Sequence, residues 1–584
     1  MGRFTEATAP SWVLTAADNI AKALDVARKD ILDLAVTPPK PEMGDLAVPM
    51  FQYAKARKVA PPVIAKEIAP KAGGAGYAIS AEGPYVNLRA DRAALLEDVI
   101  GRVREAKDRF GHAAPDPEKT AAIDYSSPNI AKPLALHHLR STMIGNAIAR
   151  ILRANGFTVY GINYVGDWGT QFGYMIAVHE HDAPEKFEKL TLDDFVKTYV
   201  SQRKLAETDP SVEEKARNAF LRLEQGDASA RRVWEKARSA SLAKFKQVYD
   251  MLGVEFQDDM YIGESFFSPM LDGVIQEAKQ KGVAKEDQGA IIVDLSAHGI
   301  DTPALLQKSD GATLYATRDI ASAKFRHDKL GGDRREWQCL YVVDQGQSLH
   351  FKQVFKVMEL LGYPWADRLK HVPFGVMLVW SDEDQGWIKG KTRAGNVVLL
   401  EDVLNEATKR VVKIIDARNP ELADKEATAR AIGVGAVVFN DLKNKRTNDI
   451  KFKFEDALSL EGETGPYIHN ALVRTKSILR KAARPVPSTY DVKLLSHARE
   501  GEIAVLLAGF KEAVARAGLE YDPSLICRFL LDLAGAFHAF HHDCLVLDDA
   551  NKALSDARLV LVDCVRLVLE NGMMLVGLQP IEAM

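Results

Sequence analysis

Residues 121–165 read AAIDYSSPNIAKPLALHHLRSTMIGNAIARILRANGFTVYGINYV, and this stretch decides the fold of the 584-residue chain. A short apolar strand leads into the polar loop SSPNIAKP, and a long helical stretch then ends at Gly156, before the strand TVYGINYV. Strand, loop, helix and strand in this order are typical of a parallel βαβ unit. Later strands, at residues 339–344 and 371–380, alternate with helices. We therefore predict a doubly wound, Rossmann-like α/β domain with a parallel sheet.

The residue pattern is different before and after this βαβ unit. Residues 1–115 mix helical periodicity, a Pro-rich break and a strand-like stretch, which predicts a small α+β domain. Residues 116–400 form the predicted α/β domain, with a charged, largely helical insertion at about 180–287. Residues 401–584 are almost wholly helical in pattern, so we predict an all-α bundle.

Composition excludes several classes of protein. A hydrophobic fraction of 47% and a charged fraction of 27% exclude a disordered chain. The net charge of −4 provides no global basic field, so any RNA binding must come from local patches. No apolar run is long enough for a membrane span and no signal peptide is recognisable, so we expect a soluble cytoplasmic protein without a membrane partner. The cysteines lack CxxC spacing, which favours reduced structural thiols at Cys339, Cys527, Cys544 and Cys564.

The loop at residues 126–142 follows the first strand of the βαβ unit, where open α/β sheets bind their ligands. A helix that begins there points its N–H groups and positive dipole end at a bound anion. Four side chains add potential cations, namely Lys132, His137, His138 and Arg140. This combination suits a nucleotide phosphate, although neither a P-loop nor a convincing GxGxxG motif is present. From these residues alone, a helix amino terminus with polar neighbours and no ligand remains the alternative.

Longer motifs give the sequence a family resemblance. The string SSPNIAKP…HLRSTMIG, followed by NYVGDWGTQFG, resembles the arginyl-tRNA synthetase form of the class I signature region. Further matches follow in the family's order: KSDGATLYATRD, QSLHFKQVF, KTRAGNVVLLEDVL, EGETGPYIHNALVR and FHAFHHDCLVL. Near the amino terminus, EMGDLAVPMFQYAK and GPYVNLR resemble the extra domain of this family. Together, these matches span nearly the whole chain.

The resemblance implies an arginine–tRNA ligase. Such an enzyme activates arginine with ATP to arginyl-adenylate and transfers the arginyl group to the terminal ribose of tRNA(Arg). It further implies that Mg²⁺ enters with ATP rather than at a metal site of the protein, and that the chain is a monomer. Residues 1–115 would then recognise tRNA, and residues 401–584 would bind the anticodon.

The sequence departs from the family at the first signature. When the chain is aligned on Lys132 and Arg140, the first histidine of the family motif falls on Ala135 and its glycine falls on His137. The last histidine remains, as His138. Either His137 contacts a phosphate or stacks on adenine in an active variant, or the chain is a non-catalytic binder of tRNA or arginine with a degenerate ATP motif. We expect the active variant because the other motifs are present.

The second signature motif of the family is also matched only in part. The stretch KTRAG takes the place of the family's Lys-Met-Ser-Lys loop, with Lys391 and Arg393 as its cations. A solvated basic loop is the alternative interpretation. The resemblance assigns catalysis to these two residues together with Lys132, His137 and His138. The residues implied to form the ATP signature region are Pro128, Asn129, Lys132, Ala135, His137 and His138.

Arginine itself constrains the remaining site. A guanidinium is planar, always charged and offers five donors, so its pocket should present carboxylates. The resemblance places Asp124, Tyr315 and Asp319 at the guanidinium, and Tyr315 and Asp319 lie on one face of a predicted helix. Asp124 replaces what is often a longer glutamate. Asn129 and Gln347 are implied to bind the α-amino and carboxylate groups.

A basic segment at residues 441–454 is the predicted tRNA contact. It combines cations with aromatic rings, a pattern typical of single-stranded RNA binding, although a solvated charged loop is an equal alternative. Its residues are Lys443, Lys445, Arg446, Lys451, Phe452, Lys453 and Phe454. Tyr467 and His469, in the motif GPYIHNA, are further candidates.

Overall fold

The computed structural model describes residues 9–381, 385–388 and 398–584. These residues form two compact units. The first unit takes the described residues of Met1–Ala114, Val412–Gly435 and Leu458–Met584. The second takes those of Pro115–Val411 and Ala436–Ala457. Among the helices that the structure describes, none is long and apolar enough to cross a membrane.

The strands of the described chain form four sheets, in the orders β1-β3-β2, β10-β9-β4-β5, β12-β11-β13 and β6-β7-β8. Their bounds are β1 Leu46–Pro49, β2 Tyr77–Glu82, β3 Tyr85–Ala90, β4 Lys119–Asp124, β5 Thr158–Ile162, β6 Lys285–Asp287, β7 Ala290–Val293, β8 Ala304–Gln307, β9 Glu336–Tyr341, β10 Leu369–His371, β11 Met377–Ser381, β12 Gly386–Ile388 and β13 Ile450–Phe452.

The α-helices are as follows: α1 Ser11–Leu24, α2 Arg28–Leu34, α3 Phe51–Arg57, α4 Pro61–Ile68, α5 Arg92–Ala106, α6 His138–Ala154, α7 Gln171–His179, α8 Pro184–Phe187, α9 Leu192–Ala206, α10 Pro210–Glu224, α11 Ala228–Leu252, α12 Glu264–Phe267, α13 Leu271–Gln280, α14 Tyr315–Lys329, α15 Ser348–Leu360, α16 Leu400–Arg418, α17 Lys425–Leu442, α18 Phe454–Ala457, α19 Gly465–Lys481, α20 Ala498–Glu520, α21 Ser524–Asp543 and α22 Lys552–Leu575.

Four parallel strands, in the order β10-β9-β4-β5, form the main sheet of the second unit. Strand β4 is buried along almost its whole length, as expected for a strand covered on both faces. Helix α6 joins β4 to β5 and approaches β4 closely because residue 145 is glycine. A Cβ on Gly145 would lie 2.2 Å from the Cβ of Tyr125. The predicted βαβ unit and parallel Rossmann-like sheet are confirmed.

Residues 371–380 were predicted as one strand, and this prediction is wrong. Strand β10 ends at His371, and β11 begins at Met377 in a different sheet. Pro373 lacks the N–H that a continuous ladder needs. Gly375 lies against the backbone of Asn448, where a Cβ would come within 2.6 Å of the carbonyl carbon.

The prediction of helix throughout residues 401–584 fails at one segment. Strand β13 pairs in parallel with β11, in the register Met377↔Ile450 to Val379↔Phe452. The segment around it, Ala436–Ala457, belongs to the second compact unit. Its aromatic and β-branched residues pack within a sheet, although they lie in sequence between long helices.

The insertion of the second unit lies between β5 and β6 and is mostly helical, which confirms the predicted helical insertion. Helices α7, α9, α10 and α11 pack against one another. Helix α11 is the longest of them, with 25 residues. It begins at the N-cap Asp227, whose side chain accepts from the N–H of Ala230, and it ends at Gly253 in the left-handed conformation.

The first unit combines an antiparallel sheet with helices. Strand β3 lies between β1 and β2, and α1 and α4 contribute to the same apolar core. Helix α5 packs against α20 and α22, and Asn571 Nδ2 donates to the carbonyl of Lys107 at 2.9 Å. The predicted α+β region and the predicted helical bundle are both confirmed. All four cysteines of the chain are buried with free thiols.

Candidate active site

The order of the central strands creates a crevice. From β4 the chain continues to β5 on one side, whereas β9 and β10 lie on the other, so the connections reverse between β4 and β9. Open α/β sheets bind ligands at such a switch point, outside the carboxyl ends of the strands. A cavity of about 400 Å³ lies there. Its walls include Ser126, Ser127, His137, His138, Asp344 and Phe374.

The loop after β4 has an unusual backbone. Ser126, Ser127 and Ala131 have φ angles of 70°, 47° and 57°, in the left-handed region that favours glycine. Each such residue costs about 1–3 kcal/mol and persists only where its surroundings fix it. Neighbouring groups provide this support: the N–H of Ser126 donates to Ser141 Oγ at 3.0 Å, and the N–H of Ile130 donates to the carbonyl of Gly166 at 3.1 Å.

His138 is the first residue of α6 and lines the cavity. Its Nδ1 lies 3.0 Å from the N–H of Ala135 and 3.2 Å from the carbonyl of the same residue, and in the tautomer in which Nδ1 accepts from that N–H, Nε2 carries the proton. Burial, with an added contribution from His137, lowers the pKa of His138 to about 3. His138 is therefore a neutral donor at physiological pH.

His137 is exposed and also lines the cavity. Its ring lies 4.1 Å from the ring of His138, at an angle of 36°. Ala135, where the family motif has its first histidine, is buried and offers no side-chain donor. The structure thus places one histidine at the start of α6 and a second ring at the open face of the cavity.

Residues 134–136 of the first signature loop form backbone hydrogen bonds to residues 398–400, which follow the second signature loop. The N–H of Leu136 donates to the carbonyl of Val398 at 2.9 Å, and the N–H of Leu400 donates to the carbonyl of Leu134 at 3.0 Å. These bonds connect residues 134–136 directly to the start of α16. Lys391 and Arg393 lie outside the described residues, and their roles stay predictions.

Arg140, a predicted cation near the bound phosphate, lines the cavity, and its guanidinium is also bonded within the protein. The side chain is 1% exposed, and its Nε pairs with Asp441 Oδ1 at 2.9 Å. Its Nη1 donates to the carbonyls of Gly375 and Asn448. Through these bonds, the buried Arg140 side chain connects α6 to the segment around β13. The first signature motif alone does not indicate this connection.

Asp124 ends β4 and is buried. Its Oδ2 accepts from Arg326 Nη2 at 2.6 Å, and its Oδ1 accepts from Ser127 Oγ at 2.6 Å. Both carboxylate oxygens therefore have internal partners. A direct contact between Asp124 and a substrate guanidinium stays a prediction, while its contact with Ser127 connects the carboxylate to the wall of the cavity.

Asp319 lies on α14, one turn after Tyr315. Its Oδ2 is 2.5 Å from His350 Nε2, and its side chain is only 14% exposed. Tyr315, by contrast, is 65% exposed. The predicted pair thus shares a helix, with the carboxylate fixed by a histidine and the tyrosine ring available to a ligand.

Sequence reasoning missed Glu264, the first residue of α12. Its pKa is raised to about 7, mainly by burial, while Arg318 opposes the rise and the neighbouring carboxylates of Asp167 and Asp319 add to it. Tyr164, whose pKa is raised by its burial, lies among the same charges. A glutamate with this pKa beside a second carboxylate is a candidate for binding a cation. A lone Glu in a charged insertion gives no signal in the sequence.

The other predicted ligand residues occupy loops and helix starts around these groups. Asn129 is exposed and forms a parallel bridge with Gly166. Gln347 is exposed one turn before His350, immediately ahead of α15. Lys132 is exposed in the loop before α6, and Pro128 is buried, with its carbonyl accepting from the N–H of Gly166 at 3.0 Å.

The basic segment 441–454 packs within the second unit. Phe452 is 1% exposed, so the prediction that its ring stacks on an RNA base is wrong. Arg446 Nη1 donates to the carbonyl of Pro373 at 2.7 Å. Lys451 Nζ lies 5.1 Å from the centre of the Trp387 ring, where a cation and a π-system attract. Of the three remaining lysines, Lys453 has its Nζ 4.5 Å from the centre of the Trp380 ring, Lys443 is half-buried and Lys445 is exposed.

Two candidates lie in α19. His469 is fully buried, and its Nε2 bonds the carbonyl of Gln579 at 2.9 Å. The prediction that His469 contacts RNA is therefore wrong. Tyr467 is half-buried with its ring 4.9 Å from that of His538, and its tRNA contact stays a prediction.

Three family models match the chain. The catalytic domain of class I tRNA synthetases (R) matches residues 102–454. The arginyl tRNA synthetase N terminal domain matches residues 15–90, and the DALR anticodon binding domain matches residues 468–584. The three regions do not overlap, and together they cover most of the chain.

Individual relatives agree along nearly the full length. An arginine–tRNA ligase of Clostridium perfringens is 39% identical over 571 residues, which cover 97% of this chain and 99% of the relative. One from Halothermothrix orenii is 40% identical over 574 residues, 96% of this chain and 99% of the relative. Both alignments extend across the two compact units.

Solved structures show the same fold. The arginyl-tRNA synthetase of Thermus thermophilus aligns with a TM-score of 0.80 at 26% identity, over 97% of this chain and 99% of that one. The arginyl-tRNA synthetase of Plasmodium falciparum aligns with a TM-score of 0.81 at 23% identity, over 98% of each chain. The second likeness concerns the fold alone.

Proposed function

Since the chain belongs to the arginyl-tRNA synthetase family, we propose that it is an arginine–tRNA ligase acting in the cytoplasm on arginine, ATP and tRNA(Arg). One observation carries the proposal. The cavity at the strand switch point adjoins a group of buried carboxylates, and Ser127 belongs to both because it lines the cavity and donates to Asp124. A polyanion site next to a cation site is what the joining of ATP to arginine requires.

ATP is proposed to occupy the 400 Å³ cavity. The neutral His138 would donate from Nε2 to a phosphate oxygen, and Lys132, Lys391 and Arg393 would supply positive charge. The ring of His137 would stack on the adenine in place of the backbone approach that a glycine permits. This arrangement favours an active variant over a degenerate binder, because the altered residue contributes a planar ring to an open cavity.

Arginine is proposed to bind beside Asp319, with Glu264 as a second carboxylate. Two carboxylates can accept several of the five guanidinium N–H donors at once. Tyr315 would cover the side chain from the helix start, and Asn129 and Gln347 would bind the α-amino and carboxylate groups. Asp124 would contribute mainly by fixing Ser127 and Arg326.

The chemistry needs positioning and charge stabilisation rather than a protein nucleophile. An oxygen of the arginine carboxylate forms a bond to the α-phosphorus while the bond to the pyrophosphate oxygen breaks. The terminal ribose hydroxyl of tRNA then attacks the carbonyl carbon, and AMP leaves. Mg²⁺ is proposed to enter with ATP.

RNA binding is proposed at both ends of the chain. Residues 1–115 would recognise tRNA and residues 401–584 would bind the anticodon, flanking a catalytic domain at 116–400. The matches to the N-terminal and anticodon-binding family models support this assignment. Contacts from Lys443, Lys445, Lys451, Arg446 and Tyr467, and a monomeric state, are part of the same proposal.

Aminoacylation tests the proposal. The purified chain is incubated with ATP, Mg²⁺ and total tRNA, and each of the twenty amino acids is supplied in radiolabelled form in a parallel reaction. We expect charging with arginine alone. Absence of charging, with tRNA retained on filters by the same preparation, would contradict the ligase and favour a non-catalytic binder with its defect at Ala135 and His137.

A further inference from the structure

Helix α11 of the insertion contacts loops from both parts of the site. We propose that it is the element that sets their geometry, with Ser241 and Tyr249 as positioning residues of the signature loop and Arg238 as a positioning residue of Glu264. This inference rests on the proposed function and adds residues that lie outside the sequence motifs.

The contacts come from one face of the helix. Trp234, Arg238, Ser241 and Tyr249 are spaced by four, three and eight residues, which a period of 3.6 brings onto the same side. Among the described residues that line the nucleotide cavity, none belongs to α11. The helix must therefore act through the loops that it contacts.

Ser241 supports the middle of the loop. Its hydroxyl accepts from the N–H of Ala131 at 2.9 Å and donates to the carbonyl of Ala237 at 2.6 Å. Both Ser241 and Ala131 are buried, and Ala131 has a left-handed φ of 57°. Without the hydroxyl, a buried N–H in a strained conformation would lose this partner. Lys132, proposed to contact phosphate, is the next residue.

Tyr249 supports the start of the same loop. Its buried hydroxyl lies 2.7 Å from Ser126 Oγ and accepts from Asn163 Nδ2 at 3.0 Å. Thr142 Oγ1 donates to the same Ser126 hydroxyl at 2.8 Å. Ser126 has a φ of 70° and lines the cavity. Tyr249 therefore connects the residues that follow β4 and β5 to the insertion by hydrogen bonds.

Arg238 acts on the arginine part of the site. Its Nε pairs with Asp167 Oδ2 at 3.1 Å, and its Nη2 donates to the carbonyl of Tyr261 at 2.8 Å. Asp167 is fully buried and accepts from the N–H and the hydroxyl of Ser265 at 2.8 and 2.9 Å. Ser265 follows Glu264 directly, so the bond from α11 to Asp167 fixes where Glu264 begins α12.

Through these contacts, α11 holds the signature loop in its observed conformation. The left-handed residues of the loop relax unless they are bonded on the side away from the substrate. Relaxation would displace Asn129 and Lys132 together, because Asn129 lies two residues before Ala131 and Lys132 directly follows it. A displacement of about 1 Å at a reacting centre costs about 100-fold in rate.

The test compares Ser241→Ala with Ser239→Ala in the full-length chain. Ser239 is exposed on the same helix, and its hydroxyl donates only to the carbonyl of Lys236 among the bonds described. We expect Ser241→Ala to speed amide exchange at Ala131 at least tenfold and to lower kcat of arginine-dependent ATP–pyrophosphate exchange about tenfold or more. Ser239→Ala should match the wild type in both measurements.

Tyr249→Phe provides a second variant, which keeps the buried ring and removes only the hydroxyl. It should lower kcat for the same exchange reaction and leave the melting temperature within a few degrees of the wild-type value. Tyr199→Phe, on α9, is its matched control.

Two results would overturn the inference. One is faster amide exchange at Ala131 with unchanged kcat and KM, and the other is unchanged amide exchange in Ser241→Ala. If the wild type fails to charge arginine, the proposed function fails separately. ATP binding by equilibrium dialysis then decides, because an unchanged Kd for ATP in Ser241→Ala would reject the positioning role.

Discussion

The proposed nucleotide part and the proposed arginine part of the site are built in different ways. The nucleotide part is a loop with three left-handed residues, followed by a histidine that burial keeps neutral. The arginine part consists of carboxylates on helices and at a strand end, with Asp319 bonded to His350 and Asp124 bonded to Arg326. Backbone shape determines the first, and side-chain charge determines the second.

This difference has a kinetic consequence. Substitutions in the loop should affect the reaction of bound ATP, whereas substitutions of the carboxylates should affect arginine and leave the KM for ATP unchanged. Ser127 touches both parts, so its variants should alter both sets of constants. The separate effects can be measured residue by residue.

The largest effect is expected for Asp319→Asn. Removing one partner of a buried charge pair costs about 3–5 kcal/mol, which lowers kcat/KM for arginine by roughly two to four orders of magnitude. The KM for ATP should not change. Asp328→Asn is the matched control, because Asp328 is exposed on the same helix and contacts only His327 among its described ion pairs. A similar loss of kcat/KM for arginine in both variants would contradict the assignment of Asp319 to arginine binding.

His138→Gln should lower kcat of adenylate formation by about 100-fold, the usual cost of losing a donor to a developing charge. Because the pKa of His138 is lowered to about 3, the wild-type rate should show no titration of this residue between pH 5 and pH 8. Stopped-flow or quench measurements of single turnovers check both points. A rate that falls as His138 gains a proton near pH 6.5 would contradict the neutral-donor role.

Glu264→Gln should change the pH dependence of arginine binding. The pKa of Glu264 is raised to about 7, so the carboxyl takes up a proton as the pH falls below that value and no longer attracts a guanidinium. In the wild type, KM for arginine should rise by up to about tenfold per pH unit between pH 7 and pH 6. In the variant, KM should be high and independent of pH.

The same substitution, which weakens arginine binding, should increase the stability of the folded protein. Burial disfavours the ionised carboxylate, so the free-energy penalty is largest above pH 7 and disappears as the pH falls below the unfolded-state pKa. Glu264→Gln should raise the melting temperature at pH 8 and change it much less at pH 5. Glu255→Gln, at an exposed position, is the control. An unchanged melting temperature at pH 8 would show that the carboxylate is well solvated.

The smallest effect is expected for His137→Gly, which restores the residue of the family motif. If the ring stacks on adenine, its removal costs about 0.5–1.5 kcal/mol and raises KM for ATP about threefold to tenfold. The KM for arginine should not respond. A lower KM for ATP in the variant would show that the ring obstructs the cavity.

Sequence patterns predicted the sheet and pointed to most of the candidate site residues because the information is local. The strand–loop–helix order around residues 121–165 and the i, i+4 spacing of Tyr315 and Asp319 are properties of short segments. The positions of Asp124 and His138 follow from the same order, because parallel strands bring their carboxyl ends to one edge.

The features that the sequence did not predict involve partners that are distant in sequence. Arg140 lines the cavity but is bonded to Asp441, 301 residues away, and Phe452 is buried because β13 joins a sheet with β11. Glu264 was missed because its carboxylate acquires its pKa from neighbours that only the fold assembles. Helix α11 looked like a generic charged insertion because its bonding residues are ordinary Ser, Arg and Tyr.

Charging with citrulline, measured beside arginine, tests the central claim most directly. Citrulline has nearly the same shape as arginine, but a neutral urea replaces the guanidinium. If buried carboxylates select the substrate, kcat/KM for arginine should exceed that for citrulline by about 10⁴-fold or more, because the neutral group leaves those carboxylates unpaired. Comparable kcat/KM values for the two amino acids would contradict selection by charge and the assignment of Asp319 and Glu264.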